Sequence, residues 1–195
     1  MSKTYTIIAG INGAGKTSLY NVIKDTGELG TRVNIDEMVM SSGSWRDAIL
    51  QLKESRRAME LIDSYINKGE SFHLETTLPG NVISRQIKKA KQKGFGVDLY
   101  FVGVENIDTA IERVNKRVKQ GGHGIEESVI RKRSEKIWQN LCEILPLCDY
   151  AVFYDNSDRF SQVAIMTKNR FLDCDANPPK WFKKAMEMYY SKIQS

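Results

Sequence analysis

Two rhythms of apolar residues alternate along the chain. Short runs rich in β-branched and aromatic residues read as buried strands: YTIIAG (5–10), RVNID (32–36), SFHLE (71–75), VDLYFVGV (97–104) and DYAVFYDNS (149–157), with VAIMTKN (163–169) as a sixth candidate. The segments between them carry the helical period. KTSLYNVIKDT (16–26) places Leu19, Val22 and Ile23 on one face. From Trp45 to Ile66 the residues Trp45, Ile49, Leu52, Met59, Ile62 and Ile66 follow helical steps, which predicts one long amphipathic helix closed by Asn67-Lys68-Gly69. NVISRQIKKAKQKG (81–94) is a basic helix ending at Gly94. NIDTAIERVNKRVKQ (106–120) is a helix with Asn106 or Asp108 as its cap, and after the break GGHG (121–124) IEESVIRKRSEKIWQNLCEIL (125–145) starts another. PPKWFKKAMEMYYSKI (178–193) reads as a last helix with proline in its first turn. Strands alternating with helices predict an α/β fold with a parallel sheet of about five to six strands and helices on both faces. No repeat, low-complexity tract or linker interrupts the pattern, so one domain is expected over residues 1–195.

Composition narrows the function classes. A chain of 195 residues with 41% hydrophobic and 27% charged residues fits a soluble globular protein with a sizeable core. No run approaches the ~18 apolar residues of a membrane span. The early apolar run leads straight into a Gly-rich loop and has no small-residue cleavage site, so a cytoplasmic location is expected. Cys142, Cys148 and Cys174 are odd in number and lack a CxxC pair, which argues against a disulfide framework. His73 and His123 have no neighbouring ligands, which argues against structural zinc. The net charge of +5 suits nucleic acid or a phosphate pocket. Because the basic residues are spread over helices and form no tail, the phosphate pocket is favoured and nucleic acid is not.

One motif carries chemistry. Gly10 to Thr17, GINGAGKT, satisfies G-x-x-x-x-G-K-[ST], with a strand before it and a helix after it. Glycines let successive backbone N–H groups turn toward phosphate oxygens, and the helix that follows adds its positive end. Gly10, Asn12, Gly13, Ala14, Gly15, Lys16, Thr17 and Ser18 are therefore the candidate nucleotide-binding residues. Lys16 is expected on the β- and γ-phosphates of ATP (or GTP), and the Thr17 hydroxyl on Mg²⁺. The chain lacks an LSGGQ-like transporter signature. VDLYFVGV meets no acid until Glu105, unlike motor ATPases, and NKRV (115–118) lacks the Asp of a guanine-reading NKxD. Small-molecule and nucleotide kinases remain.

The acids and arginines fit that class. Asp36 ends the second strand candidate, at the sheet edge where ligands collect, and can take the proton of an attacking hydroxyl or serve as a helix cap. Glu75, Thr76 and Thr77 end the third strand on the same edge and are candidates for holding the substrate. Arg113 and Arg117 share a helix face, and Arg131 and Arg133 follow the Gly121-Gly122 hinge. Residues 113–135 read as a lid that brings guanidinium groups onto the transferring phosphate, or as a solvated basic face. His123 is expected to touch phosphate or backbone in that loop. Arg56, inside the apolar stripe, reads as reaching the site or as snorkelling.

GINGAGKTSL, NIDE, FHLETTLPG and RVNKRVKQGGHGI occur in an order and spacing that resemble the zeta toxin-like P-loop kinases, from about Tyr5 to Leu145. The resemblance implies a P-loop kinase fold, ATP or a similar donor, and an acceptor hydroxyl. The family commonly carries Asp-x-Asp after the second strand, with the second acid as base. Asn34-Ile35-Asp36 keeps that spacing, with Asn34 in place of the first acid, and so implies Asp36 as the base. It further implies Glu75 on the substrate and Arg113 as the first phosphate arginine, with Arg117 and Arg131 both candidates for the second. The best-known members phosphorylate UDP-N-acetylglucosamine and are silenced by an antitoxin, which implies a small-molecule acceptor and an antitoxin partner. The short chain and the GGHGI loop depart from the larger toxins. Two other readings stay open: a nucleic-acid hydroxyl kinase, favoured by the net charge, and an ATP-binding interaction protein with little catalysis.

Overall fold

The computed structural model describes residues 3–25, 29–168 and 170–194. Seven strands form one sheet: β1 (Thr4–Ala9), β2 (Thr31–Asn34), β3 (Phe72–Thr76), β4 (Gly96–Gly103), β5 (Tyr150–Asp155), β6 (Ser161–Thr167) and β7 (Arg170–Cys174). Their order across the sheet is β2-β3-β1-β4-β5-β6-β7. The first five run parallel and the last two are antiparallel additions. Adjacent strand residues point to opposite faces, and both Ile7 and Ile8 of β1 are 0% exposed, so the sheet is covered on both sides. From β1 the chain passes to β2 at the sheet's edge, returns inward to β3, then crosses to β4 on the other side of β1. The crevice beyond the carboxyl end of β1 therefore lies where the strand order reverses, and in open α/β sheets that is where ligands settle.

The helices are α1 (Lys16–Ile23), α2 (Ile35–Ser42), α3 (Ala48–Lys68), α4 (Asn81–Gln92), α5 (Ile107–Lys119), α6 (Glu127–Ile144) and α7 (Lys180–Gln194). Their caps are written in the sequence. Asn106 accepts from the Asp108 amide at the head of α5, and Gly69, at φ 72°, closes α3. Aromatic packing joins the layers: Tyr5 stacks on Phe72, and Phe101, Trp138 and Trp181 form a cluster over β4. Gly103 is required there, because a Cβ would collide with the Trp181 ring. Among the described residues no helix is long and apolar enough to cross a membrane.

The structure departs from the sequence pattern in six respects. Helix α2 follows β2 with no loop between them, so Asp36 stands in a helical first turn and not at a strand end. The long helix starts at Ala48, capped by the Asp47 side chain, and not at Trp45. Its first turns do not face the core: Ile49 is 82% and Leu52 54% exposed, and the buried stripe runs through Ala58, Ile62 and Ile66. Val22 is likewise 67% exposed at the end of α1; Thr26, and Asn169 beyond β6, fall outside the described residues. A seventh strand, RFLDC, extends the sheet; its exposed, charged edge gave no alternation to read. Pro178 and Pro179 precede α7, and the Pro179 carbonyl accepts from the Phe182 and Lys183 amides.

Candidate functional site

The loop between β1 and α1 curls because three of its glycines adopt positive φ: Gly10 at 151°, Gly13 at 83° and Gly15 at 106°. At Gly13 a Cβ would run into the Ala110 carbonyl of α5, and at Gly15 into the Asn156 side chain. The loop is thus pressed between α5 and the end of β5, and Asn156 fixes it by donating its Nδ2 to the Ala14 carbonyl at 2.8 Å. Lys16, the first residue of α1, turns back over the loop and donates to the carbonyls of Gly10 and Ile11, both at 3.0 Å. Burial pushes its ammonium below the ordinary lysine value, while Glu75 and Asp36 pull the other way.

An acid network closes one side. Glu75 Oε1 accepts from the Thr17 hydroxyl at 2.9 Å, and its Oε2 accepts from Arg32 at 2.9 Å and Asn34 at 3.0 Å. Arg32 also pairs with Glu37 and lies over the Tyr20 ring, which stacks on His73. Asn34 serves twice, since its Oδ1 caps α2 through the Glu37 amide. That cap turns the first turn of α2 into the crevice, and Asp36 meets His123 there, with Oδ1 3.2 Å from Nε2. Burial raises the Asp36 carboxyl, but the His123 hydrogen bond and the charges of His123, Lys16 and Arg133 outweigh it and leave it below its ordinary value. Thr76 and Thr77 both border a cavity, and Thr76 Oγ1 also accepts from the Leu78 amide at 3.0 Å.

The arginines divide. Arg113 reaches the cavity along the glycine-rich loop but gives Nη1 and Nη2 to the carbonyls of Asn156 and Ser157. Arg117 lines the same cavity, donates Nε to the His123 carbonyl at 2.7 Å, and keeps a buried Nη2 with no partner. Arg131 does not join them. It is 46% exposed and tied to Asp108 and Glu127 on the outer face of α6. Arg133 points inward instead, donating Nη1 to Asn12 Oδ1 at 2.8 Å. The helical phase carried this signal: Arg133 lies three residues after buried Ile130 and four before buried Ile137. Arg56 is exposed on α3 and lines neither cavity. Sequence reasoning also passed over Asn156, and it expected His123 on phosphate or backbone where the structure sets its Nε2 beside Asp36.

Two cavities meet in this crevice. The larger, about 530 Å³, runs along Gly13, Gly15, Lys16, Thr17 and Ser18 to Arg113, Arg117 and Asn156. The smaller, about 180 Å³, is walled by Ile35, Val39, Gln51, Ser55, Thr77 and Arg133. Lys16, Asn34, Asp36, Glu75 and His123 border both.

The model of one family, zeta toxin, matches residues 1–160. The chain belongs to the zeta toxin family. An uncharacterized protein of Haemophilus influenzae is 31% identical over 124 residues, 64% of this chain and 87% of that protein. Among solved structures, the PezAT chromosomal toxin–antitoxin system of Streptococcus pneumoniae superposes with a TM-score of 0.62 at 16% identity, over 100% of this chain and 87% of that one. AvrRxo1-ORF1:-ORF2 with ATP gives 0.63 at 17% identity, over 100% of this chain and 64% of that one. At these identities the superpositions establish the shared fold.

Proposed function

We propose that this zeta toxin family member is an ATP-dependent kinase that transfers a phosphoryl group to a hydroxyl of a small metabolite, with a nucleotide sugar such as UDP-N-acetylglucosamine the first acceptor to test. The observation that carries the reading is the meeting of two cavities at Lys16 and Asp36, one along the phosphate loop and one on the far side of the carboxylate. The loop fits a polyphosphate: Gly13 and Gly15 curl it at positive φ where a side chain would collide, and the buried, unpartnered Arg117 Nη2 is a donor awaiting an anion. When bound, ATP supplies the γ-phosphoryl group and Mg²⁺ neutralises charge on its oxygens.

In this reading Gly10, Asn12, Gly13, Ala14, Gly15 and Ser18 cradle the phosphates, Lys16 neutralises them, and the Thr17 hydroxyl is the metal ligand. Asp36 orients the acceptor hydroxyl and takes its proton as the oxygen attacks phosphorus. Glu75, Thr76 and Thr77 belong to the acceptor side. Arg113 and Arg117 stabilise the charge that builds on the transferring group, and α5, α6 and the loop between them act as the lid over residues 113–135. Arg131 has no part in it, and Arg133 takes its place. An antitoxin-type partner, a cytoplasmic setting and a single domain over the whole chain belong to the same proposal. The toxin–antitoxin assembly of PezAT supports the partner. The test is incubation with labelled ATP, Mg²⁺, UDP-N-acetylglucosamine and, separately, a metabolite extract. Label on a hydroxyl is the expected result. Tight ATP binding with no labelled product would favour an interaction protein instead.

A further inference from the structure

We infer that His123 is a positioning residue, donating Nε2–H to Asp36 Oδ1 so that the lid loop fixes the base at the junction of the two cavities. The inference rests on the reading of Asp36 as the base. Four observations carry it. The two groups are 3.2 Å apart, and His123 is one of the residues that border both cavities. Its ring is held in place: the side chain is 12% exposed, Trp45 meets it edge-on at 6.1 Å, and its carbonyl is pinned by Arg117 Nε. The loop is closely packed: the Gly122 amide donates to the Arg117 carbonyl at 2.9 Å, and a Cβ on Gly124 would strike Trp45 and Val118. Finally, His123 Nδ1 is buried without a hydrogen-bond partner.

The contact with Asp36 sets the tautomer. A proton on Nδ1 would leave a buried donor unsatisfied and turn the Nε2 lone pair toward a carboxylate. A proton on Nε2 meets Asp36 and leaves one buried acceptor nitrogen unpaired. With Oδ1 so engaged, the second oxygen, Oδ2, remains to receive the acceptor proton. The donor also keeps the carboxylate ionised, which a base requires. The other charged groups around the pair are Lys16 on α1, Glu37 on α2, Glu75 on β3, Arg117 on α5 and Arg133 on α6. They remain in place in a His123 variant, so a change in the pH response on losing the imidazole reports the imidazole.

A histidine that merely anchors the loop would make different predictions. The first experiment is a long-range ¹⁵N–¹H spectrum of the imidazoles, with a His73 variant for assignment. Nε2–H is expected for His123 near pH 8, and Nδ1–H would overturn the inference whether or not the protein is a kinase. The second is phosphoryl transfer by His123→Ala and His123→Gln. Alanine should lower kcat roughly tenfold through loss of orientation, leave ATP affinity unchanged, and move the acid limb of kcat/KM to higher pH. Glutamine, which can donate from its amide, should recover most of both. An alanine variant with an unmoved acid limb, or a glutamine variant no better than alanine, would overturn it. If the kinase reading itself is wrong, the parent protein transfers nothing, and the positioning role falls with it while the tautomer result stands apart.

Discussion

Removing either arginine of the Arg131-Lys132-Arg133 run gives a sharp comparison, because two helical steps separate an outward residue from an inward one. Arg131→Ala deletes contacts to Asp108 and Glu127 on a solvent-exposed face. Exposed pairs of this kind contribute little, so both stability and kcat should stay near the parent. Arg133→Ala removes a charge-assisted hydrogen bond to Asn12, a residue 3% exposed, and leaves its Oδ1 without that donor. The lost bond and the unsatisfied oxygen are one event, so the expected destabilisation is about 1–3 kcal/mol rather than their sum. Asn12 also belongs to the phosphate loop, and Arg133 faces Asp36 across the smaller cavity. Loss of this cation should lower phosphoryl transfer by roughly 10²–10³, the scale of one preorganised charge stabiliser. Urea unfolding and transfer kinetics on the two variants, with Arg133→Lys as a charge-keeping control, decide the matter. A dead Arg131→Ala beside an active Arg133→Ala would refute both the helical-phase argument and the composition of the site derived from it.

Other perturbations bear on separate parts of the crevice. Lys16→Ala should abolish turnover while the far-ultraviolet circular dichroism of the fold persists; full activity would mean that the loop is not the phosphate site. Gly13→Ala should abolish ATP binding in calorimetry, since its φ of 83° and the Ala110 carbonyl both oppose a side chain. Asp36→Asn should reduce transfer by about 10²–10⁴ with ATP affinity little changed. The same variant tests the pH dependence of stability. The folded carboxyl lies below its ordinary value, so its contribution is present above the unfolded pKa of about 3.9 and is lost as pH falls through the folded value. Urea midpoints measured downward from pH 5 should therefore fall more steeply for the parent than for Asp36→Asn.

What could be read from the sequence was what is local. The phosphate loop needs only a strand, three curled glycines and a helix start, all within a few residues, and the alternation of strands and helices gave the parallel core. The errors lie where neighbours decide. β2 has four residues and passes directly into α2, so the cap Asn34 was hidden inside what looked like strand, and Asp36 with it. Ile49 and Leu52 keep the helical period but face away from the core, which periodicity alone cannot tell. The meeting of His123 with Asp36 joins residues far apart in the chain, which no local spacing foretells. Arg133 was legible in principle, since Ile130 and Ile137 define the buried face of α6, but the charge run drew attention to composition and away from phase.

The clamp on the phosphate loop has a consequence for biosynthesis. Ala14 is held by Asn156, 142 residues downstream, and the neighbouring Asp155 accepts from the Trp181 indole of α7 at 2.7 Å. A ribosome therefore releases the loop and most of the parallel strands long before the residues that brace the loop from behind. Pairings of such long sequence separation form late. The growing chain therefore carries the glycine loop without its brace until Asn156 and, behind it, Trp181 have been made.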